Sequence, residues 1–277
     1  MNSMVKVPNE AMTHAGRFHT DDVFSAALLM ILNPHINIIR RNAVPDGYQG
    51  LVFDLGDGEY DHHGDRASYR ENGVQYASFG LLWKQYGCEL VSEKEANTFD
   101  ESFVQPLDFQ DNNGGNNLLC RAITQFNPKW DEDGASSDEA FFRAVEFAKS
   151  ILKNEIMSMH STEHAEEIVL KCLSESKDGI VVLPQGMPWK ALLVPSSAYY
   201  VVYPSPRGGY NAQAIPIAVD SQQCKKPFPE EWRGKRENLS EISSIEGMIF
   251  CHSHGYLLAA ETLEAAITAC EKSMQGI

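Results

Sequence analysis

Four segments carry the side chains best able to do chemistry. Thr13-His14-Ala15-Gly16-Arg17-Phe18-His19-Thr20-Asp21-Asp22 sets His14, His19 and Asp21 close together. A loop can turn all three to one point, and a helix starting just after it favours anionic ligands at its N-terminus. The plainer alternative is a helix cap at Thr20 and Asp21 with incidental histidines. Leu51-Val52-Phe53-Asp54 places an acid directly behind three apolar residues, hence at the tip of a strand, although a lone Asp there is often a turn former. Glu59-Tyr60-Asp61-His62-His63-Gly64 offers two adjacent histidines. On an extended segment they point to opposite sides, so one can bind a metal while the other faces substrate. Asp61 can fix an imidazole's tautomer. Asp108-Phe109-Gln110-Asp111-Asn112-Asn113-Gly114 ends a helix at Asp111 and then turns. Together these residues offer imidazole and carboxylate but no thiolate, a set that suits Mn²⁺ or another first-row cation better than structural zinc. Carboxylates able to bridge two ions ~3.5–4 Å apart are what two-metal phosphoryl transfer requires.

The elements that must position them follow from periodicity. The first half alternates apolar runs with helical patterns, as an α/β parallel sheet does. A strand is expected near Ala11-Met12-Thr13, and a helix from about Asp21, where Val23, Phe24, Ala27, Leu28 and Ile31 recur at helical spacing. Asn33-Pro34 stops it. Strands follow at His35–Ile39 and Leu51–Phe53, then a helix over Ala77–Tyr86. Ser92 and Glu95 make a capping box for a helix running towards Asp108. Asp138 to Cys172 is one long amphipathic stretch that bridges two domains, 1–160 and 161–277. After Lys177-Asp178-Gly179 come strand-like runs at Ile180–Leu183, Ala191–Val194, Tyr199–Tyr203 and Met248–Cys251, with a helix near Thr262–Lys272. That is a smaller α+β domain.

Composition narrows the function classes. The hydrophobic share of 43% and charged share of 22% are those of a globular chain. No apolar run approaches the ~20 residues that span a bilayer, so no membrane partner is expected. The six cysteines form no CxxC pair and read as reduced thiols of a cytoplasmic protein. A net charge of -15 argues against a general basic coat for duplex nucleic acid. Residues 1–178 hold 15 Lys/Arg against 29 Asp/Glu, whereas residues 179–277 hold 8 against 9. An acidic half can approach a polyanion only with cations between them.

The order His-x4-His-x-Asp, Asp behind a strand, Asp-His-His, then Asp at a helix end resembles the DHH phosphoesterase superfamily. Within it the chain is most similar to the Myg-one exonuclease family. Supporting stretches are Pro188-Trp189-Lys190, Phe228-Pro229-Glu230-Glu231-Trp232-Arg233-Gly234 and Phe250-Cys251-His252, so the likeness runs through nearly the whole chain. The resemblance implies a parallel-sheet DHH-type N-terminal domain holding two divalent cations, Mn²⁺ first among the candidates. One would be held by His14, His19 and Asp54, the other by Asp21, Asp54, His62 and Asp111, with Asp54 bridging. His63 would contact the scissile phosphate or orient the nucleophile, Asp61 would support a histidine, and a cation-activated water would attack. Where many superfamily members carry Asp, this chain has His19.

The C-terminal domain would then bind substrate. Arg233, Lys235 and Arg236 can engage phosphate, and Trp232 can stack on a base or be buried as an anchor. Superfamily members often carry a glycine- and histidine-rich motif near the position of Gly255-Tyr256-Leu257-Leu258-Ala259-Ala260-Glu261. Here no histidine follows the glycine, and His252 and His254 could substitute. The expected function is a Mn²⁺-dependent 3′-5′ exonuclease acting on single-stranded RNA or short oligonucleotides, with a homodimer as one candidate assembly. The alternatives are hydrolysis of a small phosphoester, dinucleotide or amide, and a non-catalytic metal- or nucleotide-binding module.

Overall fold

β1 (Glu10–His14) is the middle strand of a three-stranded parallel sheet, between β2 (Asn37–Arg41) and β3 (Leu51–Val52). Ala11, Met12 and Thr13 are all buried, as expected of a strand covered on both faces. Parallel neighbours need crossovers, and the first is α1 (Thr20–Leu32), whose residues Thr20 to Leu29 are buried without interruption. A helix buried all round belongs at the centre of its unit. Each fully buried Leu or Phe side chain contributes roughly 1.5–3 kcal/mol, so Phe24, Leu28 and Leu29 make α1 a main source of core stability. Asn33 ends the helix by donating its backbone N–H to Leu29.

The structure, a computed structural model, describes residues 6–56, 58–132 and 136–276. The rest of the first unit is helical: α2 (Ser78–Tyr86), α3 (Glu93–Phe99), α4 (Gln105–Asn113), α5 (Leu118–Thr124) and α6 (Ser137–Ser174). Ser92 caps α3 by accepting from the Glu95 N–H, but α3 does not run on unbroken towards Asp108. A π-helical turn at Asp100–Val104 joins it to α4. Pro106 explains the break: it has no N–H for Ser102 and its ring crowds that carbonyl, so the ladder widens ahead of it.

The chain divides into two compact units, Met1–Met159 and His160–Ile277, with α6 crossing the boundary. The second unit contains β4 (Ile180–Val182), α7 (Lys190–Leu193), β5 (Tyr200–Pro204), β6 (Tyr210–Ala214), α8 (Leu239–Ser243), β7 (Met248–Cys251), β8 (Leu257–Ala260) and α9 (Leu263–Gln275). Its sheet runs β4-β5-β6-β8-β7, with β4 and β5 parallel and the other pairs antiparallel. The expected strand at Ala191–Val194 is instead the short helix α7, because a four-residue apolar run carries no decisive period. The protein is thus mixed α/β, with one parallel and one mixed sheet. Among the described residues no helix is long and apolar enough to cross a membrane.

Candidate metal centre

The carboxyl ends of β1 and β3 and the N-terminus of α1 meet at one place, where open α/β sheets build their sites. His14 is the last residue of β1, and Asp21 and Asp22 lie in the first turn of α1. Asp54 follows the bridge residue Phe53 and takes a left-handed backbone, φ 50°. Such a conformation costs a non-glycine residue free energy and is commonest for Asn and Asp. It turns the carboxylate inward while the Asp54 N–H still bonds to the Tyr60 carbonyl at 3.1 Å. Asp111 arrives from the last turn of α4.

Asp54 is shared by two histidines. His14 Nε2 lies 3.2 Å from its Oδ2, and His62 Nε2 lies 3.3 Å from its Oδ1. His14 Nε2 also meets Asp22 Oδ2 at 2.9 Å. His62 Nε2 meets Asp21 Oδ2 and Asp111 Oδ2, each at 3.5 Å. Of the ligand set suggested by resemblance, Asp21, Asp54 and Asp111 therefore converge on the Nε2 of the fourth member, His62. His19 stands with Asp21 and Asp111, not with His14 and Asp54, whose third companion is Asp22. Among the described residues the possible ligand atoms fall into three triads, His14/Asp22/Asp54, Asp54/His62/His63 and His19/Asp21/Asp111, each within 4.8 Å internally.

The hydrogen bonds around the histidines decide what this cluster can hold. His14 Nδ1 faces the Ala15 carbonyl at 3.1 Å, and His62 Nδ1 faces Asn112 Oδ1 at 3.1 Å. Both partners are acceptors, so both Nδ1 atoms carry hydrogen and both Nε2 lone pairs aim at carboxylates. Lone pair against lone pair is repulsive unless a proton or a metal ion lies between. Both oxygens of Asp21, Asp54 Oδ1 and His62 Nε2 are buried and make no hydrogen bond of good geometry. Buried polar atoms seldom go unsatisfied without a reason, and a divalent cation satisfies all of these at once. The residues fit such an ion.

The electrostatics agree. Hydrogen bonding to Asp22 and then to Asp54 pushes His14 up to about 11. Burial pulls His62 down, but Asp21 and Asp54 outweigh it and carry it to about 11. Burial, with the nearby charge of Asp21, pushes Asp111 up to about 9. Burial likewise works to raise Asp54, but His14 and His62 overcome it and hold its carboxyl below the ordinary range. Protons thus take the place that metal charge would fill.

His62 is buried while the His63 side chain is 65% exposed. The two rings are nevertheless only 4.2 Å apart, centre to centre, and do not point to opposite sides. Asp61 is the cause: its Oδ1 accepts from the His63 backbone N–H at 3.1 Å and faces His63 Nδ1 at 2.7 Å, curling the chain into a turn. His63 then borders a cavity of about 600 Å³ together with His19, His62, Gln75, Asp111 and Thr124.

In the second unit a cavity of about 870 Å³ is lined by Arg233, His252 and His254, with Lys190, Trp189 and Tyr256. Arg233 is aimed by its Nε bond to the Phe228 carbonyl at 2.9 Å. Gly255, at φ +68°, lets the chain turn where a Cβ would press on that guanidinium. Trp232 is a correction: it is 3% exposed, packed in the core of this unit, and cannot stack on a base. Its apolar surface is used for folding. Lys235 and Arg236 are exposed and do not border the cavity, and the Arg236 guanidinium instead covers the Phe250 ring at 4.5 Å.

The family model MYG1_exonuc, described as Uncharacterised protein family (UPF0160), matches residues 10–274. The chain belongs to this family. It is 26% identical to the human MYG1 exonuclease over 98% of this chain and 87% of that protein. It is 27% identical to the rat MYG1 exonuclease over 96% and 85%. With the MYG1 protein of Dictyostelium discoideum it shares 25% identity over 95% of both. No solved structure is significantly similar to it.

Three residues of this MYG1-family site escape a reading of the sequence. Asp22 looks like a second capping acid, and it does accept from the His19 N–H at 3.0 Å through Oδ1. Its other oxygen goes to His14. Adjacent acids in a helix's first turn, about 100° apart around the axis, are the signal that could have found it. Asn127 lies far along the chain and pairs with both backbone groups of buried Phe18, accepting from its N–H at 3.0 Å and donating to its carbonyl at 2.9 Å. This fixes the loop that carries His19. Asn112, beside Asp111, is the third, and nothing in the local pattern marks it.

Proposed function

We propose that the protein is a two-cation phosphodiesterase, a 3′-5′ exonuclease that uses Mn²⁺ on single-stranded RNA or short oligonucleotides. The observation that carries this reading is the buried Asp54 carboxylate, one oxygen to His14 and the other to His62, where His62 itself borders a cavity large enough for a nucleotide. Relatives named exonucleases, matched over 87% and 85% of their length, support a nuclease-type hydrolysis. When bound, divalent cations supply Lewis acidity that activates water and neutralises charge on the phosphoryl group. His14, Asp22, Asp54, His62, Asp21, Asp111 and His19 would hold them.

The remaining work falls to side chains. His63, its Nδ1 engaged by Asp61, presents Nε2 to the cavity and can contact a phosphate oxygen or carry a proton there. A stretch with a net balance of -14 over residues 1–178 would repel a polyanion without cations, which fits strict metal dependence. The six unpaired cysteines support a cytoplasmic location.

The direct test is to incubate the purified protein with 5′- and 3′-labelled oligoribonucleotides, oligodeoxyribonucleotides and dinucleotides, with Mn²⁺, Mg²⁺ or chelator. Mononucleotides released stepwise from the 3′ end with Mn²⁺, and none with chelator, are expected. Metal bound without any phosphodiester cleavage would reject the proposal. The second unit is assigned to substrate binding through Arg233 and the cavity it borders. Arg233→Ala should raise KM by about tenfold to a hundredfold, the worth of one charged hydrogen bond, and leave kcat within a few-fold. An unchanged KM would remove that assignment.

A further inference from the structure

We propose that Asn112 is the positioning residue that fixes the tautomer and the aim of His62. Asn112 Nδ2 donates to the Asp108 carbonyl at 2.9 Å and to the Tyr76 carbonyl at 3.3 Å. Both are acceptors only, so the amide cannot be turned over without setting its oxygen against two carbonyl oxygens. Its Oδ1 is therefore the atom that faces His62 Nδ1 at 3.1 Å. An acceptor there requires Nδ1 to carry the hydrogen, and this leaves Nε2 as the bare nitrogen towards Asp21, Asp54 and Asp111.

The last turn of α4 thus delivers two things from adjacent residues, an acid for the ion and the amide that sets the histidine. The two histidines differ in this respect. His14 is fixed by the main-chain carbonyl of Ala15, which no substitution removes. His62 depends on a side chain. A neutral amide also suits the place, since a carboxylate at the same position would add charge to a cluster already rich in it. Partners of this kind, one bond behind a metal ligand, typically matter by 10–100-fold in metal affinity.

The inference rests on the cation reading of the site, and the test separates the two. Asn112→Leu keeps the fork of Asn at Cγ and has neither polar group. Asn112→Asp keeps an acceptor towards His62 but loses the donor to Tyr76 and Asp108. A merely structural Asn112 would make the two variants equally defective. In Mn²⁺ titrations, Asn112→Leu is expected to bind roughly 10–100-fold more weakly than the wild type, and Asn112→Asp within about threefold of it. In protein loaded with Zn²⁺ as a diamagnetic ion and carrying ¹⁵N-histidine, the wild type and Asn112→Asp should show His62 protonated at Nδ1 alone. Asn112→Leu should show a mixture of ring states. Equal Mn²⁺ affinity in Asn112→Leu, or equal loss in both variants, overturns the role of Asn112 while leaving the cation site standing. Failure of the wild type itself to bind Mn²⁺ overturns the cation reading and this role together.

Discussion

Asp54→Asn is expected to lower turnover of an oligonucleotide by about 10³-fold or more while the protein stays folded. The size follows from what the carboxylate does. It offers one oxygen to each histidine group, whereas an amide is uncharged and has a single acceptor oxygen, so both of the proposed ion positions would lose an anionic partner and one would face an NH₂ group instead. Interactions with a bound cation are worth several kcal/mol of transition-state stabilisation, and each ~1.36 kcal/mol is a factor of ten. The choice of Asn is deliberate. Asp54 sits at φ 50°, a conformation Asn tolerates about as well as Asp and Ala does not, so Asp54→Ala would mix strain with the loss of a ligand. Turnover should be read beside the melting temperature and Mn²⁺ affinity. Activity within tenfold of wild type, with the fold intact, would remove Asp54 from the bridging position.

The second large effect concerns pH. In the cation-free protein His14 and His62 hold their protons up to about 11, and Asp111 up to about 9. At pH 7 all three are protonated, and an ion that takes the Nε2 atoms and the Asp111 carboxylate must displace those protons. Each proton expelled makes affinity rise tenfold per pH unit. Mn²⁺ affinity should therefore climb by more than tenfold per unit between roughly pH 7 and 9, with release of more than one proton. Calorimetry in two buffers of different ionisation enthalpy counts them. An affinity that is flat across this range would show that the cage is not protonated as described.

Stability without metal has its own sign. The histidines lie above their ordinary 6.5, so their contribution is complete below that value and is lost as pH rises through about 11. Asp111 is raised above 3.8. Folding therefore favours its neutral form, and its unfavourable contribution grows from pH 3.8 to about 9. Both effects weaken the cation-free protein between pH 7 and about 9, the interval in which added Mn²⁺ should stabilise it most, and above it only the loss from the histidines continues, to about 11.

What could be read from the sequence was whatever depends on neighbours along the chain. The Ala11–Thr13 run, the 3.6-residue spacing from Val23 to Ile31 and the acid behind Leu51–Phe53 place β1, α1 and the tip of β3, and with them His14, Asp21 and Asp54. Asp-His-His stands out by composition. Long-range partnership does not. Asp22 divides its oxygens between a helix cap and His14, and only the first role is local. Asn112 and Asn127 are ordinary turn residues until the fold brings His62 and Phe18 to them. In the second unit β6, Tyr-Asn-Ala-Gln-Ala, has too little apolar content to read as a strand, and pairing with β5 and β8 decides it. Trp232 shows the reverse error, since an aromatic just ahead of Arg233, Lys235 and Arg236 suggests stacking whether its ring ends up outside or inside.

The clasp between Phe18 and Asn127 spans 109 positions of the polypeptide. During synthesis, which runs from the N-terminus at about 5–20 residues per second, a nascent chain holds His14, Asp22 and Asp54 well before Asn127 has been made. Until then the Phe18 amide and carbonyl have no Asn127 to take them, and burying two such groups unmatched costs about 1–3 kcal/mol each. The cluster proposed to hold cations is consequently completed late in translation, after Asp111 and then Asn127 have followed His14, Asp22 and Asp54 out of the ribosome.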